Sequence, residues 1–247
     1  MRVPLRRLFP DPVDAVDLVD AYPYPPDATW LRANMIASAD GAATIDGRAG
    51  GLGNATDQQV LGLLRALADV VIAGAGTVTA EGYGPARARP QHQDLRAAAG
   101  QPPAPRMVVV SQRLQLDFES TYFTQALQPP IVITCEAAPA DRLLAAHKVA
   151  EVVIAGDSIV SPALMVDALV ALDYRRLLCE GGPTLLARVA ADGVLDELCL
   201  TIAPMLVAGP SRRVLEGPLL DPAPRMALTQ LLQDDDDLLY ARYEVQR

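Results

Sequence analysis

The chain has 247 residues, 51% of them hydrophobic, and a formal net charge of −9 at pH 7. That length suits one large domain or two small ones, and the apolar share supplies a sizeable buried core. The acidic balance argues against a nucleic-acid groove or a membrane surface, and no apolar run approaches the roughly 18 residues that span a bilayer. Residues 1–29 read as an N-terminal extension, and no long apolar run follows Met1 to Arg7, so no signal peptide is expected. Residues 30–38 read as a strand closed by the turn signal Asp40-Gly41. Residues 57–68 read as an amphipathic helix with Val60, Leu63, Leu64 and Leu67 on one face, and Thr56 and Gln59 have capping-box spacing at its start. Residues 70–73 form a short buried strand ending in Gly74-Ala75-Gly76-Thr77. The stretch 83–105 is rich in Pro, Ala, Gly and Arg and reads as a long surface loop, a kind uncommon unless functional or disordered.

Further strands are expected at 107–110, 131–134, 152–155, 176–179 and 198–203. Helices are expected at 142–148, at 162–172 with Ser161 as N-cap, and at 185–191. A last strand at 238–245 follows the acidic run Asp234 to Asp237, which reads as a solvated turn, because a calcium loop needs spaced ligands and a distal Glu. Strands alternating with helices predict an α/β fold with a largely parallel sheet covered on both faces. The final strands lack an intervening helix, which predicts an antiparallel edge.

Two turns stand out for chemistry. Glu180-Gly181-Gly182-Pro183-Thr184 ends an apolar strand and opens a helix. Its glycines allow positive φ and close approach of a ligand, and Pro183 suits the first helical turn. Free N–H groups there attract anions. Gly74-Ala75-Gly76-Thr77 repeats the pattern, though without the third glycine of the dinucleotide fingerprint. Ligands of open α/β sheets gather outside such strand ends. Arg65 reads as either a solvated surface arginine or an anion clamp. Arg87, Arg89 and Arg96 lie in the long loop, where they can close over an anion or simply keep it soluble. Ser111 and Arg113 follow a strand, where they suit an adenosine-ribose phosphate or a plain turn. Asp40 has the composition of a structural turn, whereas Glu180, ending an apolar strand, needs a partner if buried. Two histidines far apart leave no zinc set or Ser-His-Asp triad, so no metal is expected. Cys135, Cys179 and Cys199 sit in apolar runs, as reduced core thiols of a cytoplasmic protein do.

The ordered series Ala37-Ser38-Ala39-Asp40-Gly41, Leu64-Arg65-Ala66-Leu67-Ala68-Asp69, Gly74-Ala75-Gly76-Thr77-Val78, Glu180-Gly181-Gly182-Pro183-Thr184 and Leu195-Asp196-Glu197-Leu198 with Ala203-Pro204 resembles the reductase domain of riboflavin biosynthesis. The resemblance implies a dihydrofolate-reductase-like three-layer fold: a mixed, mostly parallel sheet with helices on both faces, forming one reductase domain over 30–247. It implies NADPH as cofactor, a homodimer, and hydride transfer to C1′ of an opened ribosylamino group, as in a 5-amino-6-(5-phosphoribosylamino)uracil reductase. It implies cofactor contacts at Ala37, Gly53, Gly74, Ala75, Gly76, Thr77, Ser111, Arg113, Gly181, Gly182, Pro183, Thr184 and Leu185. Substrate contacts fall to Ser38, Arg65, Arg87 and Glu180, with Arg65 on the phosphate. Asp40, Glu81 and Glu180 are the expected catalytic carboxylates. The family commonly has an aromatic where this chain has Gly50-Gly51-Leu52-Gly53-Asn54, and Asp-Asp/Asn-Pro where it has Glu81-Gly82-Tyr83-Gly84. Those departures keep two alternatives open: a paralogue that reduces a dihydropterin, and a non-catalytic NADP-binding protein.

Overall fold

The structure, a computed structural model, describes residues 5–247. Strand β1 (Arg6–Phe9) and helix α1 (Leu18–Ala21) precede β2 (Trp30–Ser38), α2 (Ala55–Leu67), β3 (Val70–Gly74), α3 (Ala75–Ala80), α4 (Gln93–Ala98) and β4 (Arg106–Val110). Then come α5 (Thr121–Thr124), β5 (Ile131–Thr134), α6 (Ala140–Ala146), β6 (Glu151–Ile154), α7 (Pro162–Ala171), β7 (Arg176–Cys179), α8 (Pro183–Ala191), β8 (Glu197–Ala203), β9 (Met226–Gln233) and β10 (Leu239–Val245). The strands make one sheet in the order β1-β9-β10-β8-β2-β7-β3-β4-β5-β6. From β8 to β6 neighbouring strands are parallel, and β10, β9 and β1 add an antiparallel edge. The expected α/β class with an antiparallel C-terminal edge is what the chain forms.

Period-two alternation inside continuous apolar runs splits the core in two. Val71, Ala73, Val109, Val132 and Leu178 lie in one core cluster with Val60, Leu63 and Leu64 of α2. Val70, Ile72, Val108, Ile131, Ile133, Leu177 and Cys179 face Met165 and Leu169 of α7 and Leu186 and Val189 of α8. Because both faces are covered, β3 carries Val70, Val71 and Ile72 without exposed surface. Each such side chain contributes about 1.5–3 kcal/mol through burial.

The segment before β2 is built into this sheet. β1 pairs antiparallel with β9, and Leu5 and Tyr22 are buried in the α2-side core. Arg32 of β2 is fully buried, pairs with Glu197 at 2.6 Å, and donates to the carbonyls of Tyr22 and Pro23.

Local expectations differ in four places. Asn54, not the Thr56 capping box, caps α2: its side chain accepts from the Asp57 N–H at 2.9 Å, so the helix starts at Ala55. The stretch 83–105 is not a bare loop. It holds a 3-10 turn and α4, whose Arg96 is buried and donates to the Ala66 and Ala68 carbonyls at the end of α2. Arg96 thus caps α2 through Nη1, while its buried Nη2 has no partner among the described residues. Asp235 to Asp237 are exposed, as in the expected solvated turn, but Asp234 is 4% exposed and accepts from Leu238 N–H, Asp236 N–H, Asn54 Nδ2 and Tyr240 Oη. Strands β1 and β9 had no counterpart in the sequence reading.

Candidate active site

Strand β7 enters the sheet late in the chain and fills the place between β2 and β3. The helices that follow β3 and β7 pack on opposite faces, Val78 of α3 in one core and Leu185 and Leu186 of α8 in the other. Such a divergence leaves a crevice at the strand ends. A cavity of about 970 Å³ opens there, with walls from β2, α2, the 81–92 segment and the first turns of α3 and α8. That volume admits two small-molecule groups side by side.

The two glycine turns form one surface. Gly74 N–H donates to Gly181 O at 2.7 Å. A Cβ on Gly182 would stand 2.5 Å from Thr77 Oγ1, so only glycine lets the turns meet. Gly181 has φ +81°, which also favours glycine. A Cβ on Gly76 would meet nothing within 4 Å, so that backbone lies open on the cavity. Gly182 caps α8 with no side-chain partner, and Pro183 stands in its first turn. Free N–H groups and an open backbone fit the phosphates and amide of a dinucleotide. Gly53, Gly74, Gly76, Thr77, Gly182, Pro183, Thr184 and Leu185 line this cavity, and Ala75 and Gly181 lie within the same turns. Ala37 is buried within β2, away from the lining. Ser111 and Arg113 follow β4, one strand beyond β3, and lie outside it too.

Arg65 and Glu180, far apart in sequence, meet at the centre. Arg65 Nε and Nη2 each donate to Glu180 at 2.6 Å, and Tyr83 Oη donates to Glu180 Oε2 at 2.5 Å. The Glu180 side chain is 4% exposed and that of Arg65 25%. Glu180 therefore has the partner its burial requires, and Arg65 is not a freely solvated arginine. Burial, reinforced by the Glu180 carboxylate, pushes the Tyr83 phenol well above its usual range, so Tyr83 stays a donor. Arg65 Nη1 takes no part in the pair.

Asp40 lies outside the cavity lining. Its carboxylate accepts from Ser38 Oγ at 2.5 Å and from Val207 and Ala208 N–H. The Ser38 bond foremost, then the two amides, holds Asp40 down to about 2. Those contacts anchor Asp40 to the 204–208 turn, outside the cavity lining, rather than to the expected catalytic role. Ser38 is consumed in the same anchor, also accepting from Ala42 N–H at 2.9 Å. Glu81 does line the cavity, with Oε1 accepting from Ala49 N–H at 2.9 Å. Arg87 is exposed at the rim and donates to Gln125 at 3.3 Å.

Three contributors escaped the sequence reading. Arg212, from the segment between β8 and β9, reaches Thr184 Oγ1 at 3.2 Å and lines the cavity. Nothing in its local sequence marks it. Tyr83 stands in a loop where an aromatic has no periodic signal. Asp57, in the first turn of α2, accepts from Thr201 Oγ1 of β8 at 2.9 Å and faces the cavity. In sequence it looks like an ordinary acid favouring the helix dipole.

The chain is similar to known proteins along most of its length. A family model described as the RibD C-terminal domain matches residues 29–240. A 2,5-diamino-6-ribosylamino-4(3H)-pyrimidinone 5′-phosphate reductase of Methanothermobacter thermautotrophicus is 32% identical over 189 residues, 76% of this chain and 81% of that protein. The Archaeoglobus fulgidus protein of the same name is 26% identical over 181 residues, 73% of this chain and 82% of that one. The crystal structure of a pyrimidine reductase-like protein from Corynebacterium diphtheriae superposes with a TM-score of 0.80 at 31% identity, covering 89% of this chain and 92% of that chain.

Proposed function

This chain belongs to the RibD C-terminal domain family, and on that premise we propose that it reduces a ribosylaminopyrimidine phosphate with NADPH. The observation that carries the reading is one cavity in which an open glycine surface faces a buried arginine–glutamate pair. NADPH, when bound, supplies the hydride. The chain's own residues bind, orient and exclude water, and catalysis is chiefly positioning. Gly74 to Thr77 and the first turn of α8 hold the cofactor's phosphates and amide. Arg212 steadies that turn through Thr184, and Ser111 and Arg113 take the adenosine end, where Arg113 favours NADPH over NADH.

Arg65 offers Nη1 to the substrate while Glu180 fixes its plane. Arg87 and Arg89, both exposed cations on the cavity, add positive charge for the phosphate. Of the carboxyl groups expected to supply a proton, Glu81 is the one on the cavity whose Oε2 makes no hydrogen bond among the described residues. No helix among the described residues is long and apolar enough to cross a membrane. With three free, buried cysteines we place the chain in a reducing cytoplasm. We assign a homodimer contact to exposed apolar side chains such as Met205, Leu206 and Leu219.

The test is NADPH oxidation followed by absorbance, with a ribosylaminopyrimidine phosphate and with dihydrofolate in parallel. Turnover on the pyrimidine and none on dihydrofolate is expected. Turnover on dihydrofolate alone would move the chain to pterin chemistry, and tight NADPH binding without turnover would make it a binding protein.

A further inference from the structure

The arginines on the cavity come mostly from one side, Arg65 from α2 and Arg87, Arg89 and Arg96 from the segment after α3. Arg212 is the exception. It belongs to the segment between β8 and β9 and stands at the first turn of α8, where Nη2 donates to Thr184 Oγ1 at 3.2 Å. The backbone around it is pinned on both sides. Ala43 N–H donates to the Arg212 carbonyl at 2.7 Å, and Ser211 Oγ donates to the Thr44 carbonyl at 2.6 Å. Four residues on, Glu216 N–H donates to the Pro183 carbonyl at 3.2 Å, in that same first turn. The side chain of Arg212 is already engaged. Nε and Nη2 both meet Glu216 Oε2, whereas Arg212 Nη1 and Glu216 Oε1 have no partner among the described residues. The two side chains are 50% and 53% exposed, so the pair is worth little to folding. Glu216 itself lies outside the cavity lining. The pair therefore sets a carboxylate beside a helix start whose free N–H groups suit an anion.

We propose that Glu216 is a built-in competitor of the cofactor: it holds Arg212 in the empty chain and gives it up to the cofactor's pyrophosphate. The inference rests on the reductase reading above. Carboxylate and phosphate oxygens are equivalent partners for a guanidinium fork. The two glycine turns offer N–H groups to the pyrophosphate but no charge, and Arg212 is the cation that stands at one of them. The exchange asks for a swing of a long, half-exposed side chain and leaves the pinned backbone where it is. Arg212 thus strengthens the hold on the cofactor, and Glu216 weakens it by the cost of breaking the resident pair. A cofactor that must leave after each turnover is served by such a brake on its own affinity. Glutamine at 216 still accepts a hydrogen bond from Arg212, so Glu216→Gln removes the competing charge while the contact remains.

The experiment measures Kd by calorimetry for NADPH and NADH with wild type, Arg212→Gln, Glu216→Gln and the double variant. Arg212→Gln is expected to weaken both cofactors at least about tenfold, the loss of a charge-assisted hydrogen bond. Glu216→Gln is expected to tighten both by about two- to fivefold, the factor that an exposed ion pair is worth. In the Arg212→Gln background it should change nothing, because the coupling runs through the arginine. A pair with a merely structural role would move both single variants toward weaker binding, and that result overturns the proposal. Tightening by Glu216→Gln that persists without Arg212 overturns it as well, since it marks plain charge repulsion. So does a loss confined to NADPH, which would put Arg212 at the 2′-phosphate. Wild type that binds neither cofactor overturns the reductase reading too, whereas binding untouched by every variant overturns this proposal alone. If Arg212→Gln does not fold, Arg212→Lys decides, because it keeps the charge without the fork. Weaker binding of both cofactors by Arg212→Lys supports the exchange, and an unchanged Kd overturns it.

Discussion

Glu180 shows how a charge is kept at the centre of the molecule. Its side chain is 4% exposed, and three donors meet it: Arg65 Nε, Arg65 Nη2 and Tyr83 Oη. Taking a carboxylate out of water is expensive, and it is tolerated when a bidentate guanidinium and a further hydrogen bond replace the lost solvent. Removing one partner leaves the other charge uncompensated, at about 3–5 kcal/mol for a buried pair. Partial exposure of Arg65 puts Arg65→Ala near the lower end, about 3 kcal/mol, read as a shift of the urea midpoint at unchanged slope. Arg65→Lys retains the charge but not the fork, and should cost less. A loss below about 1 kcal/mol for Arg65→Ala would place the pair among surface ion pairs and contradict the geometry. In neither variant is the NADPH Kd expected to change as much as the KM for the phosphorylated pyrimidine.

At the scale of elements, the meeting of α3 and α8 through their preceding turns governs the cofactor surface. Gly182→Ala sets a Cβ against Thr77 Oγ1, and the β-branched threonine has few rotamers with which to yield. NADPH affinity should fall more than tenfold by calorimetry, and Thr77→Ala in the same chain should restore part of it. Failure of that rescue would mean the turns are not in contact. These turns were legible in sequence, since an apolar strand, small flexible residues and a proline at a helix start are local signals. Strands β2 to β8 were legible as apolar runs for the same reason. Strand β9 was not, because Met226-Ala-Leu-Thr-Gln-Leu-Leu-Gln233 is composed largely of helix formers and becomes a strand only by lying between β1 and β10. The pairing of Arg65 with Glu180 was likewise out of reach. Each residue was recognisable as a site candidate, but no local pattern says that two candidates neutralise one another. Asp40 was read with two meanings, and only its contacts with Val207 and Ala208 decide for the turn.

Across the whole molecule, the segment before β2 acts as a clasp on the antiparallel edge. A chain beginning at residue 23 loses the burial of Leu5 and Tyr22, each worth about 1.5–3 kcal/mol. It also loses the β1–β9 pairing and one carbonyl acceptor of the fully buried Arg32. That sum is comparable to the roughly 5–15 kcal/mol that stabilises a whole domain. The shortened chain is expected to lose its cooperative thermal transition, and a retained transition within a few degrees of the full chain would show the clasp to be ornamental. The order of the strands has a further effect, on the ribosome. β2 and β3 are made early and never touch each other, because β7 lies between them. Both sheet neighbours of β2, β7 and β8, come late, so until residue 179 has emerged β2 is unpaired and Arg65 is without its glutamate. Pairings that span so much chain form slowly. Binding competence therefore arrives in one late step of synthesis, and a nascent chain halted before β7 has the front half of a pocket and nothing to close it.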